Sequence, residues 1–164
     1  CSWAEFSQAI FDKAFELDPS DAELGAKMAK SYFSEAQDAS RKKDYPNAIS
    51  LIKKAYFADR KDKKVKDAIL KIHKEYLASL VRAKDTKTAI KVMKRLASSV
   101  RIPETKKLLS DAYFAAGSEF NSAKNYRKAR DMLKKSLKTW KSNGKAKTLL
   151  SSVEGLLKRE RNKP

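Results

Sequence analysis

Few side chains in this 164-residue sequence are of the kinds that do chemistry, and their spacing offers no catalytic arrangement. There is one histidine, His73, and one cysteine, Cys1. A zinc site needs about four His, Cys or acidic ligands at short spacings, so no His/Cys cluster forms within one chain, and no disulfide framework either. A lone His without a paired Ser or Cys nucleophile gives no acyl-transfer triad. Gly117, Gly144 and Gly155 are isolated, so no glycine-rich loop cradles a phosphate. The reading is therefore non-enzymatic, with no catalytic residue, no metal and no cofactor expected.

The charged residues are more informative. The formal net charge is +18, unevenly spread. Residues 1–40 carry eight acids against three lysines, and the remaining 124 carry 35 bases against 12 acids. Basic pairs recur as Lys53-Lys54, Lys94-Arg95 and Lys134-Lys135, at spacings of 41 and 40. A polyanion, an acidic protein surface or an anionic membrane would be drawn to such a stretch. The pairs lack interleaved aromatics on which bases stack, which argues against nucleic acid.

The elements that position these residues follow from the same period. The segments at 44–59, 85–100 and 125–140 align, with Ala48, Ala89 and Ala129 in one column and Ile52, Met93 and Leu133 four residues on. Ala55, Leu96 and Ser136 make the next column. One period earlier, Ser7, Phe11 and Ala14 fall into the same register. Between these segments run longer ones with columns Met28/Ile69/Leu109, Tyr32/His73/Tyr113, Ala36/Leu77/Gly117 and Ala39/Leu80/Phe120. Spacings of i, i+4, i+8 place each set on one apolar stripe of a helix. His73 thus stands in a tyrosine column, the position of a packing residue. Asp21, Asp62, Asp44, Asp85 and Asn125 are suited to N-caps, and Pro103 to a first turn.

Short connections force neighbouring helices to run antiparallel. The expected order is a lone helix at 3–17, long–short pairs at 22–58, 63–99 and 104–141, and a capping helix at 145–161, in one repeat domain. Trp3, Phe6 and Ile10 either cover the open side of the first helix or mark where more protein adjoined it. The last helix carries the stripe Leu149, Leu150, Val153 and Leu157, with Lys158, Arg159 and Arg161 on its polar side. No run of 18 apolar residues exists to span a membrane.

The turn and Tyr of LDPSDAELGAKMAKSYF (17–33), with the DY-x-x-A-I-x-x-x-x-K-A run from Asp44 to Ala55, resemble the tetratricopeptide repeat family. The likeness covers almost the whole chain. It implies an all-α, right-handed superhelical solenoid of antiparallel helix pairs, about eight helices in all. The period departs from the family's 34, being 41 or 40, with the extra residues in each first helix. Only Pro19 keeps the proline between repeats, and the usual glycine column reads Ala29, Leu70 and Ser110.

The resemblance also implies where a partner sits. First helices of the family line a concave groove, which here would present Glu23, Ala26, Lys30 and Phe33, then Lys64, Asp67, Lys71 and Lys74, then Glu104, Lys107, Asp111 and Phe114. Such a lining suits a protein or peptide partner with apolar anchors and acidic character. Phe33 and Phe114 are open to a second reading, as residues packed on the neighbouring repeat. The asparagines with which one branch of the family grips chaperone tails have no counterpart, since Ala26, Lys30, Asp67 and Lys71 stand in their places.

The basic pairs would form a ladder on the convex back, one rung per about 10 Å, or an ordinary solvated face. Two function classes follow: a scaffold or adaptor, expected as a segment of a larger assembly component, and as the alternative an electrostatic binder of acidic surfaces. Self-association of the acidic start with the basic remainder is a third expectation. Cys1 reads as the residue after a cut inside a longer protein, with a lipid-anchored Cys as the minority reading. Cytoplasm and periplasm are both compatible.

Overall fold

The computed structural model describes residues 9, 10, 12–14, 16–18 and 21–162. Among the described residues the secondary structure is helical throughout, with no strand. The seven helices bounded within them alternate in length. Those of 18 to 20 residues are α1 (Ala22–Arg41), α3 (Lys63–Arg82), α5 (Pro103–Ser122) and α7 (Gly144–Arg161). The 14-residue helices are α2 (Tyr45–Ala58), α4 (Thr86–Ser99) and α6 (Tyr126–Thr139). Ahead of α1, residues 9, 10, 12–14, 16 and 17 are also helical. Cys1, Trp3, Phe6, Ser7, Phe11 and Pro19, used in the sequence argument, lie outside the described residues.

The chain forms two compact units, residues 1–73 and 74–164, the division falling within α3. In the first unit α1 packs on α2. Its core takes Met28, Tyr32, Ala36 and Ala39 from α1 and Ala48, Ile52 and Ala55 from α2. Val65, Ile69, Ile72 and His73, from the first half of α3, are buried too. Tyr32 donates its hydroxyl to Asp12, so the segment before α1 is tied to the core column by a polar contact.

In the second unit α4 packs on α5, α5 on α6 and α6 on α7, and α5 also meets α7. Ala129, Leu133, Ala146, Val153 and Leu157 form one buried cluster, flanked by Phe114, Phe120, Tyr126, Leu137, Leu149 and Leu150. The columns of small and large apolar residues are therefore core columns. Ala48, Ala89 and Ala129 are each fully buried, as are Ile52, Met93 and Leu133. Leu109 of the longer-helix columns is only half-buried, and Leu108 beside it is buried.

Gly117 marks the closest approach in this unit. A Cβ there would lie 2.8 Å from Leu133 Cγ, 2.9 Å from Leu133 Cδ2 and 3.3 Å from the Ala129 carbonyl oxygen. Glycine lets α6 seat its large column residue against the α5 backbone.

The turns from long to short helix share one construction. Lys43, Lys84 and Lys124 adopt φ of 61°, 56° and 58°, the left-handed conformation that usually ends a helix on glycine. The amides of Lys43, Lys84 and Lys124 donate to the carbonyls of Ser40, Val81 and Asn121, and those of Asp44, Asp85 and Asn125 to Ala39, Leu80 and Phe120. The helix thus closes in a Schellman arrangement. The residue that completes it then caps the next helix: the Asp44, Asp85 and Asn125 side chains accept from the amides of Asn47, Thr88 and Lys128. Three residues end one helix and start another, which reverses the chain without a free loop.

Candidate partner-binding groove

The groove is built on the second half of α3 and on α5. Leu77, Ala78 and Val81 follow at helical spacing on α3, and Leu108, Asp111, Phe114 or Ala115, and Ser118 do so on α5. These two faces bound a groove of about 820 Å³, closed at one end by Lys84, Thr86, Ser122 and Ala123. Its floor is apolar. Leu77 and Leu108 are buried, Phe114 is half-buried, and Val81 keeps 39% of its surface exposed. Lys74 and Lys84 stand on its rim with Glu119, whose carboxylate accepts from the Thr86 hydroxyl at 2.7 Å.

Phe114 and Ser118 also line a second groove, of about 710 Å³, whose other wall is Gly144, Lys145, Thr148, Leu149 and Ser152 of α7. The Phe114 ring packs against the buried α6/α7 cluster as well. One side of the Phe114 ring therefore rests on the core and the other faces two grooves.

Asp111 is the polar centre of this face. It is half-buried, and burial pushes its carboxyl above the usual aspartate range, against the opposing pull of Lys107, Lys145, the Asn143 amide and Lys74. Three lysines thus exert a Coulombic pull on one partly desolvated carboxylate. Of the residues singled out from the sequence, Lys74 and Phe114 line this groove, while Lys107 acts on Asp111 from outside the lining. Lys145 was missed, because it follows the third pair and has no equivalent in the repeat columns used to find the others.

Asp111 is held from behind by a buried network. The Ser110 hydroxyl donates to the Ser136 carbonyl at 2.9 Å, and the Ser136 hydroxyl donates back to the Ser110 carbonyl at 2.8 Å. The Asn143 amide group donates to Ser110 Oγ at 3.0 Å, to Asp111 Oδ1 at 3.2 Å and to Ser136 Oγ at 3.3 Å. Its own oxygen accepts from the Ala146 amide at 3.2 Å and so caps α7. One asparagine joins α5, α6 and α7 and orients the groove carboxylate. In the sequence, Ser110 stands in the glycine column with Ala29 and Leu70, and Ser136 in the column of Ala55 and Leu96. Their pairing was a signal, since a polar residue at each of two facing positions satisfies both.

In the first unit, Lys30 is exposed and Phe33 half-buried on α1, and Lys71 is exposed on α3. They belong to a different unit from the groove described above.

The recurring basic pairs, expected as a ladder, are partly occupied by contacts inside each unit. The Lys54 ammonium lies 4.9 Å from the centre of the Tyr32 ring, and that of Lys94 lies 5.9 Å from the Tyr113 ring. Lys134 stands 3.7 Å from Glu154 of α7. Lys53 is half-buried, whereas Arg95 and Lys135 are exposed. One cation per rung therefore closes over a core tyrosine or an acid of the neighbouring helix.

His73 lies fully buried with Nδ1 2.7 Å from the Ile69 carbonyl, one turn back on the same helix. Its Nε2 has no hydrogen-bond partner among the described residues. Burial lowers its pKa to about 4, opposed by the Ile69 hydrogen bond and reinforced by Lys53, so the ring is neutral at pH 7. Among the described residues no group of His, Cys, Asp and Glu is placed to hold a metal ion, and no helix is long and apolar enough to cross a membrane. No protein-family model matches the chain, and no curated protein matches it.

Proposed function

We propose that this chain is a non-enzymatic binding scaffold of the tetratricopeptide type, which holds an acidic peptide or protein segment in the groove between α3 and α5. The observation that supports this most is an apolar floor, centred on half-buried Phe114, beside four lysines that outnumber Asp111 and Glu119: Lys74 and Lys84 in the lining, Lys107 and Lys145 acting on Asp111 from outside it. An apolar anchor on the partner would displace water from the floor, and the rim would select acidic residues beside it. Asp111 offsets part of that positive field and offers one acceptor to a partner amide.

A peptide display selection on the whole chain, followed by affinity measurement of the enriched sequences, tests the reading. The selected peptides are expected to pair a large apolar residue with acids. Phe114→Ala should weaken binding by about 2 kcal/mol, the scale of an aromatic anchor. Lys74→Glu with Lys145→Glu should weaken it further and flatten its salt dependence, while Asp111→Asn should tighten it. Arg95→Glu with Lys135→Glu, on the ladder, should leave it unchanged. If the ladder pair abolishes binding and Phe114→Ala does not, the protein is instead an electrostatic binder of acidic surfaces through its basic ladder.

A further inference from the structure

A third concavity, apart from the two grooves at Phe114, lies between α6 and α7. It is a half-open cleft of about 660 Å³ whose lining residues are mostly exposed, within the range of about 300–1,000 Å³ that takes small organic ligands. Its lining is dominated by charge: Arg127 and Arg130 from α6, Lys158 and Arg161 from α7, against Glu154 and Glu160. The two bases on each helix are three residues apart, which sets them on one face of that helix. Packing α6 on α7 turns the two faces toward one cavity.

The acids do not neutralise these four bases. Glu154 is drawn toward Lys134, 3.7 Å away and outside the lining. The Arg130 guanidinium touches Asp131 through Nη2 at 3.4 Å, but its Nε is buried with no hydrogen-bond partner among the described residues. Buried donors are nearly always paired, so the Arg130 guanidinium keeps one unmet hydrogen bond behind its exposed face. Gly155 of α7 leaves room for an anion in front of that face. A Cβ built there meets nothing within 4 Å, so the lining lacks a side chain where the cavity opens.

We propose that this cavity binds a phosphate monoester. Two guanidinium groups present planar forks that match oxyanion geometry, and the lysine adds a point charge. Four bases against two acids leave an excess of two positive charges, which matches the charge of about −1.5 to −2 on a phosphate monoester at pH 7 better than a single carboxylate. The remaining volume accommodates the organic part of the ester beside Ser151, Gly155 and Leu157. The phosphate could be carried by a free small molecule or by a lipid headgroup, the chemistry at the cavity being the same.

The test is an NMR titration of the whole chain that follows the arginine Nε–Hε signals at constant ionic strength. Phenyl phosphate is expected to shift the Arg127 and Arg130 signals saturably, at least about tenfold more tightly than acetate. Arg130→Gln should weaken that binding about tenfold. Gly155→Glu should abolish it by placing a carboxylate in the cavity, and it replaces a helix-interior glycine with a better helix former, so the fold is kept. Arg95→Gln with Lys135→Gln, remote from the cavity, should change nothing.

In parallel, phosphatidylcholine vesicles with and without phosphatidic acid separate the sources. Retention on the phosphatidic acid vesicles that is lost in Gly155→Glu assigns a lipid headgroup, and its absence alongside phenyl phosphate binding assigns a free ester. Equal binding of acetate, no saturable shift, or equal weakening by the remote pair would each overturn the proposal.

Discussion

At the scale of single residues, two buried positions carry measurable consequences. His73 is neutral in the fold, with its pKa lowered from 6.5 to about 4. Unfolding returns it to the ordinary value, so the unfolded chain binds the proton first as pH falls. The stability this residue contributes is complete above pH 6.5 and is lost progressively as pH falls to about 4. At 1.36 kcal/mol per unit, the loss is on the order of 3 kcal/mol. Denaturant unfolding followed across that range should show the decline, and His73→Leu should flatten it. An unchanged slope in the variant would assign the acid sensitivity to other groups.

Gly117 is the second such position. Its Cβ would collide with fully buried Leu133, and the Ala129 carbonyl lies close behind. Overpacking of this kind costs about 1–3 kcal/mol, against a gain of about 1 kcal/mol in helix propensity for alanine. Gly117→Ala is therefore expected to lower the thermal midpoint. In a Leu133→Ala background the same substitution should stabilise instead, because the obstructing side chain is gone. A thermal-unfolding cycle over the four proteins reads this coupling directly.

At the scale of elements, the repeated unit is as much a turn as a helix pair. Lys43, Lys84 and Lys124 hold a left-handed conformation that costs an L-residue roughly 1–2 kcal/mol. Lys43→Gly and Lys124→Gly are expected to stabilise the chain by up to about 1 kcal/mol each, after the greater entropy of glycine in the unfolded state is counted. Chemical denaturation of the two variants checks this. Lys84→Gly should stabilise comparably, yet that lysine stands on the groove rim, so a partner held there should bind it less well. The turn following each short helix is built differently in each case. Asp59 accepts from the Lys61 and Asp62 amides, Thr105 donates to the Val100 carbonyl, and Asn143 joins the serine network. Those joints vary while the long-to-short turn does not.

At the scale of the whole molecule, charge is distributed by segment and not by fold. The excess of bases lies after residue 40, and part of it is spent on internal contacts with Tyr32, Tyr113 and Glu154. What remains exposed around the α3/α5 groove sets the salt dependence expected for an acidic partner. Its association rate should fall as salt rises, with the anchoring by Phe114 largely unaffected. Stopped-flow association and dissociation rates at two ionic strengths separate these effects.

The helical character and most of the core columns were determined by the sequence alone, Leu109 giving way to Leu108 being an exception. A column such as Ala48, Ala89 and Ala129 repeats only if one face of each helix is kept from water, and burial periodicity is a property local to each helix. Capping by Asp44, Asp85 and Asn125 was legible for the same reason, since a cap joins residues three apart. What only the tertiary structure decided depends on approach between helices. That Ser110 and Ser136 satisfy one another, that Asn143 completes them, and that Lys145 acts on the Asp111 carboxyl all join residues distant in the chain. The cavity between α6 and α7 is of the same kind, since two basic pairs on separate helices become one site only when packing turns their faces together. Lys43, Lys84 and Lys124 escaped for a different reason: lysine carries no mark of a left-handed backbone. The helix geometry on either side imposes it.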